Sequence, residues 1–493
     1  MRYDASVLSS HFDSLGVRGV TRLFKYDRRG AKETIARMAS SSGIVVEGHL
    51  LRVFQEMGYD VDPVRDNKSE YDPRVMFNNL GKYEVPKVSY DSEMLGRAIA
   101  LSHKVFGHRE GFEKLRALSF DYELFEALKL DKSSGAPVFD SKDKAFKEDL
   151  ARSERIAANK CAPPPCVAYH RVQHGVEGPK VRLVWGYPLS MTLLEARFAR
   201  PLIQRFLSLR TPMTFGLVKH QLGARVLESQ RNGFTYGLDF SKFDSSLPTR
   251  IMHTAFEILK THFSLNPENE VVWEKVVNYF HHTTILMPDG FVYQKHCGVP
   301  SGSYFTQLVG SIANYIIIQY MVMVVAGRAV DDRLVNVIGD DSLFTLSQRL
   351  DLEKFARVAK ELGMTLNILK SGIYGPTEAP SFVGHEWHAG IPDRAKSEII
   401  KRMIFPERPS HFGVGKERDY RETDRLMAYV GDARSAWDLA ISTQIFGGSP
   451  DLTAYQLLHR RSGYPITGME EIRSIFGEGV PTVAKTMLLG LIR

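Results

Sequence analysis

"NVIGDDSLF", residues 336–344, sets two aspartates side by side between short apolar runs. Neighbouring carboxylates repel one another, so a sequence that pins both to one turn stores unfavourable electrostatics there. LVNVI and SLFTL on either side predict a hairpin over 334–346, with Gly339-Asp340-Asp341 at its tip. Water around an ordinary surface turn would relieve the repulsion, and so would a divalent cation. The rest of the chain decides between them.

About a hundred residues upstream, GLDFSKFDSS (237–246) places Asp239 at the end of a predicted strand and Asp244 five positions later, beyond a turn. Two strand ends of this kind bring distant carboxylates together. Mg²⁺ demands near-octahedral oxygen ligands and usually takes one or two protein carboxylates, completed by water and phosphate oxygens. Asp239 and Asp340 would supply that set, and two ions about 3.5–4 Å apart suit an in-line displacement at phosphorus. Taken one at a time, each motif is also compatible with capped turns in solvent.

The 493 residues, 43% hydrophobic and 25% charged, have the balance of a soluble globular protein. Lys+Arg 64 against Asp+Glu 57 leaves a net charge of +7, which favours a polyanionic partner. Three cysteines, Cys161, Cys166 and Cys297, cannot make a disulfide framework and suit a reducing compartment. The first twenty residues carry charges and no continuous apolar stretch, so no secretory signal is expected. The most apolar run, IIIQYMVMVVA at 316–326, is about half of the roughly 20 residues that span a bilayer. It reads as part of a buried helix over 303–326, and no membrane partner is expected. The histidine pairs HRVQH, HHTT and HEWH lack the further ligands of a tetrahedral zinc site.

Helical periodicity runs from about Ser92 to Leu130, including GFEKLRALSFDYELFEALKL, and recurs at 142–160, 250–263 and 351–362. Strands are predicted within 170–188, at FTYGLDF and at TLNIL, with a Gly/Pro-rich hairpin around 372–392. The first seventy residues read as an extension packed on a larger body. Helices and strands interleave without regular alternation, an α+β pattern.

Read in order, GLDFSKFDSS, GVPSGSYFTQLVGSIAN (298–314) and VIGDDSLF resemble the motifs of viral RNA-dependent RNA polymerases. GVPSGSYFTQL is most similar to the enzymes of partitiviruses and their picobirnavirus relatives, which have double-stranded RNA genomes. Four further stretches extend the resemblance from about Lys132 to Pro392: KSSGAPVF, a template-guiding loop; KVRLVWGYP, a basic nucleotide channel; NILKS, a lysine motif; and FVGHEWHAGIP, a hairpin supporting the growing 3′ end.

The resemblance implies a right hand of fingers, palm and thumb with encircling fingertips. Its expected divisions are an N-terminal fingertip region at 1–70, fingers at 71–232, palm at 233–384 with 252–296 partly fingers, and thumb at 385–493. Asp239, Asp340 and Asp341 would hold Mg²⁺, with Mn²⁺ as a substitute, and Lys370 would protonate the leaving pyrophosphate. Asp244 would sense the ribose. Arg171, Lys180, Arg182, Ser301, Gly302, Thr306 and Asn314 would line the nucleotide site, and Ser134, Gly135 and Pro137 would touch RNA.

Gly310 departs from the asparagine that many positive-strand enzymes use to bridge to the ribose-sensing aspartate, which leaves Ser301 or Thr306 to orient Asp244. The implied partners are RNA template and product, ribonucleoside triphosphates and a viral capsid protein. The implied location is the virion interior or host cytoplasm. A non-enzymatic RNA-binding or capsid-associated protein would explain the charge but not the spaced acidic positions. A reverse transcriptase normally carries an aromatic residue two positions before the paired aspartates, where this chain has Ile338.

Overall fold

The computed structural model describes residues 2–405 except 29, 42–45, 67–70, 121–123, 125–127, 129–131 and 176–177, together with residue 435. Most of the expected thumb therefore lies outside the described residues. Two sheets and one long helix position the rest. The first sheet runs in the order β1-β6-β5-β2-β3 and is built from Val20–Lys25 (β1), Cys166–Gly175 (β2), Gly178–Gly186 (β3), Thr284–Leu286 (β5) and Phe291–Lys295 (β6). The second runs β9-β4-β8-β7 and joins Phe234–Leu238 (β4), Val335–Ile338 (β7), Asp341–Leu346 (β8) and Gly372–Tyr374 (β9). All three of its pairings are antiparallel.

The main helices are Ser92–Phe106 (α1), Leu189–Ser208 (α2), Thr249–Lys260 (α3), Pro267–His281 (α4), Thr306–Ala326 (α5) and Leu352–Glu361 (α6). Every residue of α5 from Leu308 to Met323 is buried. It has no polar stripe because α1, α3, α6 and β7 surround it. At 21 residues it is long and apolar enough to cross a membrane, yet 89% of its most apolar window is buried inside the protein. It is a core helix, as the reading of 303–326 expects. Gly327 ends it with φ +70°, donating its N–H to Met323 O at 2.9 Å.

Two expectations are corrected. The helical periodicity beyond Phe106 does not continue as helix over 107–120. There the chain runs as a strap: Leu115 N–H donates to His262 O and Leu118 N–H to Arg197 O. Arg197 lies 4.0 Å over the Phe120 ring. Tertiary partners for an extended backbone outweigh local helix preference. TLNIL is a strand only at Thr365–Leu366, because Lys370 and Ser371 N–H both fold back onto Asn367 O.

The N-terminal extension packs on the larger body, as its composition suggested. β1 joins the five-stranded sheet, while Leu50, Phe54 and Val61 pack with Ile399, Ile400, Met403 and Ile404 beyond the second sheet. Segments of the first seventy residues thus pack both on the five-stranded sheet and on the helix Lys396–Ile404.

Candidate active site

In the β7–β8 hairpin Ile338 pairs with Asp341, so the turn proper is Gly339-Asp340 and Asp341 opens the return strand. Gly339 has φ +59°, the left-handed value asked of the first residue in a tight hairpin turn. Helix α5 supports this turn from below. Ser311 Oγ accepts Gly339 N–H at 2.9 Å, and Asn314 Nδ2 donates to the carbonyls of Gly339 and Asp340 at 3.0 Å each. A Cβ on Gly310 would stand 3.4 Å from Gly339 Cα, an ordinary contact, so the helix and the turn touch with room for a methyl group between them.

β4 lies beside β8 with Leu238 opposite Ser342, and one residue further on Asp239 comes opposite Asp341. Asp239 is tied by its backbone to the turn at 367–371. Its N–H donates to Ser371 Oγ at 3.0 Å, and its carbonyl accepts Asn367 N–H at 2.8 Å. Lys370 sits exposed on the same turn. Asp239, Asp340 and Asp341 therefore meet on one open surface, with Lys370 on the turn that adjoins it.

The carboxylates feel one another there. The Asp341 carboxyl is pushed up to about 7, first by the protein crowding it and then by Asp340 and Asp239, with Arg182 pulling the other way. The residue is nonetheless exposed to solvent. Among the described residues no three His, Cys, Asp or Glu side chains form a ready-made metal cage. The donor set nevertheless fits Mg²⁺, which keeps waters and phosphate oxygens in its shell and needs one or two carboxylates whose repulsion it relieves.

Arg171 and Arg182 face each other across β2 and β3, both exposed, an arrangement of like charges that calls for an anion. Lys180 pairs with Gln173 in the same hairpin, and its side chain lies outside the described residues. Asp244 is half-buried, and its carbonyl accepts Val299 N–H at 2.6 Å. The loop before α5 is stitched to β3: Trp185 N–H donates to Ser301 O at 3.0 Å and Ser301 Oγ donates to Leu183 O at 3.2 Å. A Cβ on Gly302 would lie 2.1 Å from Trp185 O, so glycine is required for this approach to β3 rather than for approach to a ligand.

Several expected contacts are corrected. Asn314 is fully buried and its amide is spent on the aspartate turn. The Thr306 hydroxyl donates to Pro300 O at 3.0 Å. Asn314 holds the site rather than lining it, while the Ser301 and Thr306 hydroxyls expected to orient Asp244 donate to the carbonyls of Leu183 and Pro300. Ser134 and Gly135 are buried against the start of α2, where Leu189 N–H donates to Ser134 O at 2.8 Å. Lys132 and Ser133 are the exposed residues of that loop, with Pro137 half-buried.

Sequence reasoning missed the support beneath these residues. The Tyr83 hydroxyl donates to Val299 O at 3.0 Å and accepts Trp185 Nε1–H at 2.9 Å, linking the loop before α5 to β3. Ser311 and Ser371 likewise escaped notice, since a lone serine gives no periodic signal.

This architecture, a four-stranded sheet presenting paired carboxylates beside a long buried helix, defines the class of right-hand polymerases. The crystal structure of the RNA-dependent RNA polymerase of a human picobirnavirus superposes with a TM-score of 0.69 at 16% identity, covering 91% of this chain and 94% of that one. The viral RNA-dependent RNA polymerase family matches residues 54–409, and the chain belongs to that family. Relatives include the RNA-directed RNA polymerase of Cryptosporidium parvum virus 1, 26% identical over 318 residues, 60% of this chain and 59% of that protein. That of Atkinsonella hypoxylon virus is 25% identical over 283 residues, 46% of this chain and 43% of that protein. The chain thus spans about half the length of these relatives.

Proposed function

We propose that the chain is a template-directed RNA polymerase that joins ribonucleoside triphosphates on an RNA template, transcribing and replicating a double-stranded RNA viral genome. The observation that carries this reading is the shared field of Asp239, Asp340 and Asp341 opposite Arg182 on an open surface. The relatives above, named as RNA-directed RNA polymerases, support it.

Bound by Asp239 and Asp340 with Asp341 auxiliary, Mg²⁺, or Mn²⁺ in its place, would supply positive charge to the attacking hydroxyl and the leaving oxygens. Arg171, Lys180 and Arg182 clasp the triphosphate, arginine through its fork. Asp244 reads the ribose, the feature that separates RNA precursors from DNA ones. Lys370 protonates the leaving pyrophosphate. We assign 1–70 to the fingertip region, 71–232 to fingers, 233–384 to palm and 385–493 to thumb. Work on a double-stranded genome places the enzyme inside a capsid in the host cytoplasm, beside the capsid protein.

The test is incorporation of labelled nucleotides by purified protein with RNA template and Mg²⁺. Asp239→Asn and Asp340→Asn are expected to abolish incorporation while leaving RNA binding nearly intact, because a basic groove elsewhere holds the strand. More than a small fraction of wild-type activity in either variant would refute the assignment.

A further inference from the structure

Residues 298–305 lead into α5 and carry Ser301 and Gly302 to the open side of the site. Gly298 and Gly302, with φ of +69° and +128°, would give such a segment many conformations of its own. Two buried ionisable side chains hold its ends. Lys295 Nζ donates to Gly298 O at 2.8 Å and to the carbonyls of Phe280 and His281, at the end of α4, at 2.6 and 3.0 Å. At the other end Glu195, from the middle of α2, accepts the Ser303 hydroxyl and Tyr304 N–H, both at 2.8 Å.

Neither side chain has any exposed surface. Among the described residues neither has an ion-pair partner; Glu195 faces Ser303, Tyr304 and Tyr187, and Lys295 faces Cys297 and Cys166. Cys166 feels both charges, which places the two within one electrostatic neighbourhood. Burying a charge without a counter-ion is costly: desolvation pushes Glu195 up to about 8 and Lys295 down to about 7. A neutral side chain would close a loop at lower cost. What a carboxyl that takes two donors and a lysine head group that reaches three carbonyls add is several directed bonds from one side chain, hence one loop conformation instead of many.

We infer that Lys295 and Glu195 are positioning residues that clamp the 298–304 loop from both ends, fixing the backbone that borders the template and the incoming nucleotide. The inference rests on the polymerase reading for its consequence but not for its geometry, and two readouts keep them apart. Hydrogen exchange on the full chain follows the amides of residues 298–305 without any need for activity. Steady-state incorporation on a defined template follows nucleotide KM separately from kcat.

Glu195→Leu is expected to speed exchange at Tyr304 and to raise nucleotide KM, each about tenfold, as befits loss of two buried hydrogen bonds. Lys295→Met should do the same at Val299. Glu195→Gln recovers most of the Glu195→Leu loss, because its oxygen takes the Tyr304 N–H while its amide donates to Ser303. Ser303→Ala, mild enough to preserve folding, raises KM by a smaller factor and adds nothing on top of Glu195→Leu. Unchanged exchange over 298–305 in folded Glu195→Leu or Ser303→Ala would overturn the clamp, as would effects on KM that simply multiply. A wild-type protein without incorporation would overturn the polymerase reading, while exchange would still decide the clamp.

Discussion

Asp341 holds its proton up to about 7, against an ordinary value of 3.8, and that shift has a thermodynamic sign. The unfolded chain ionises this group near its ordinary value, so above that pH the folded state resists a proton loss that the unfolded state accepts. Stability therefore declines as pH rises from about 4 to about 7 and stays lowered beyond. Asp341→Asn removes the repulsion. Because solvent reaches the residue, the gain is no more than about 1 kcal/mol, or about 1–2 °C in apparent Tm at pH 8. The gain should be smaller at pH 5, although the same variant is expected to be less active. Calorimetry at the two pH values decides, and equal Tm differences would contradict a shared field among the carboxylates. Mg²⁺ acts on the same repulsion, so millimolar Mg²⁺ should raise wild-type Tm more at pH 8 than at pH 5.

Helix α5 supports the aspartate turn and β3 holds the loop before the helix, and one glycine at each contact separates those tasks. A Cβ at Gly310 meets Gly339 Cα at 3.4 Å, an ordinary contact, and φ there is not positive. Alanine at that helical position recovers up to about 1 kcal/mol of helix propensity. Gly310→Ala is therefore expected to keep near-normal incorporation and stability, whereas Gly310→Leu should displace the turn and abolish activity. Gly302→Ala is a different case: the added atom would stand 2.1 Å from Trp185 O on a backbone at φ +128°. Strain of that kind costs about 1–3 kcal/mol before the clash is counted. Incorporation and thermal melts on the three variants test the distinction. Tolerance of leucine at 310 would mean that the helix does not set the turn, and tolerance of alanine at 302 that the loop does not need its close approach to Trp185.

Across the whole molecule, what could be read beforehand was whatever repeats or runs close in sequence. The paired aspartates, the strand that ends at Asp239 and the apolar helix behind them announce themselves by spacing. Tyr83, Glu195 and Lys295 do not, because their partners Val299, Ser303 and Phe280 sit on other elements and a buried charge has no periodic signature. The same reason hid the strap at 107–120, whose helix-like pattern yields to carbonyls contributed by His262 and Arg197. Net charge is the remaining whole-chain property, and the excess of 64 basic over 57 acidic residues leaves open which cations meet RNA and which meet nucleotide. Salt separates them. For single strands, log affinity falls with log salt with a slope of about −0.7 per phosphate neutralised. Arg171 and Arg182 lie on one hairpin, and Arg182 is near enough to Asp341 to favour its charged form, which supports the proposal that the pair serves the triphosphate. The Arg171→Ala, Arg182→Ala double variant should therefore bind RNA with an unchanged salt slope between 50 and 200 mM, while nucleotide KM rises about tenfold or more for the lost charge-assisted fork. Lysine at 182 should restore only part, since it keeps the charge but not the bidentate geometry. A slope shallower by about 1.4 with KM unchanged would place both arginines on the RNA path and remove them from the nucleotide channel.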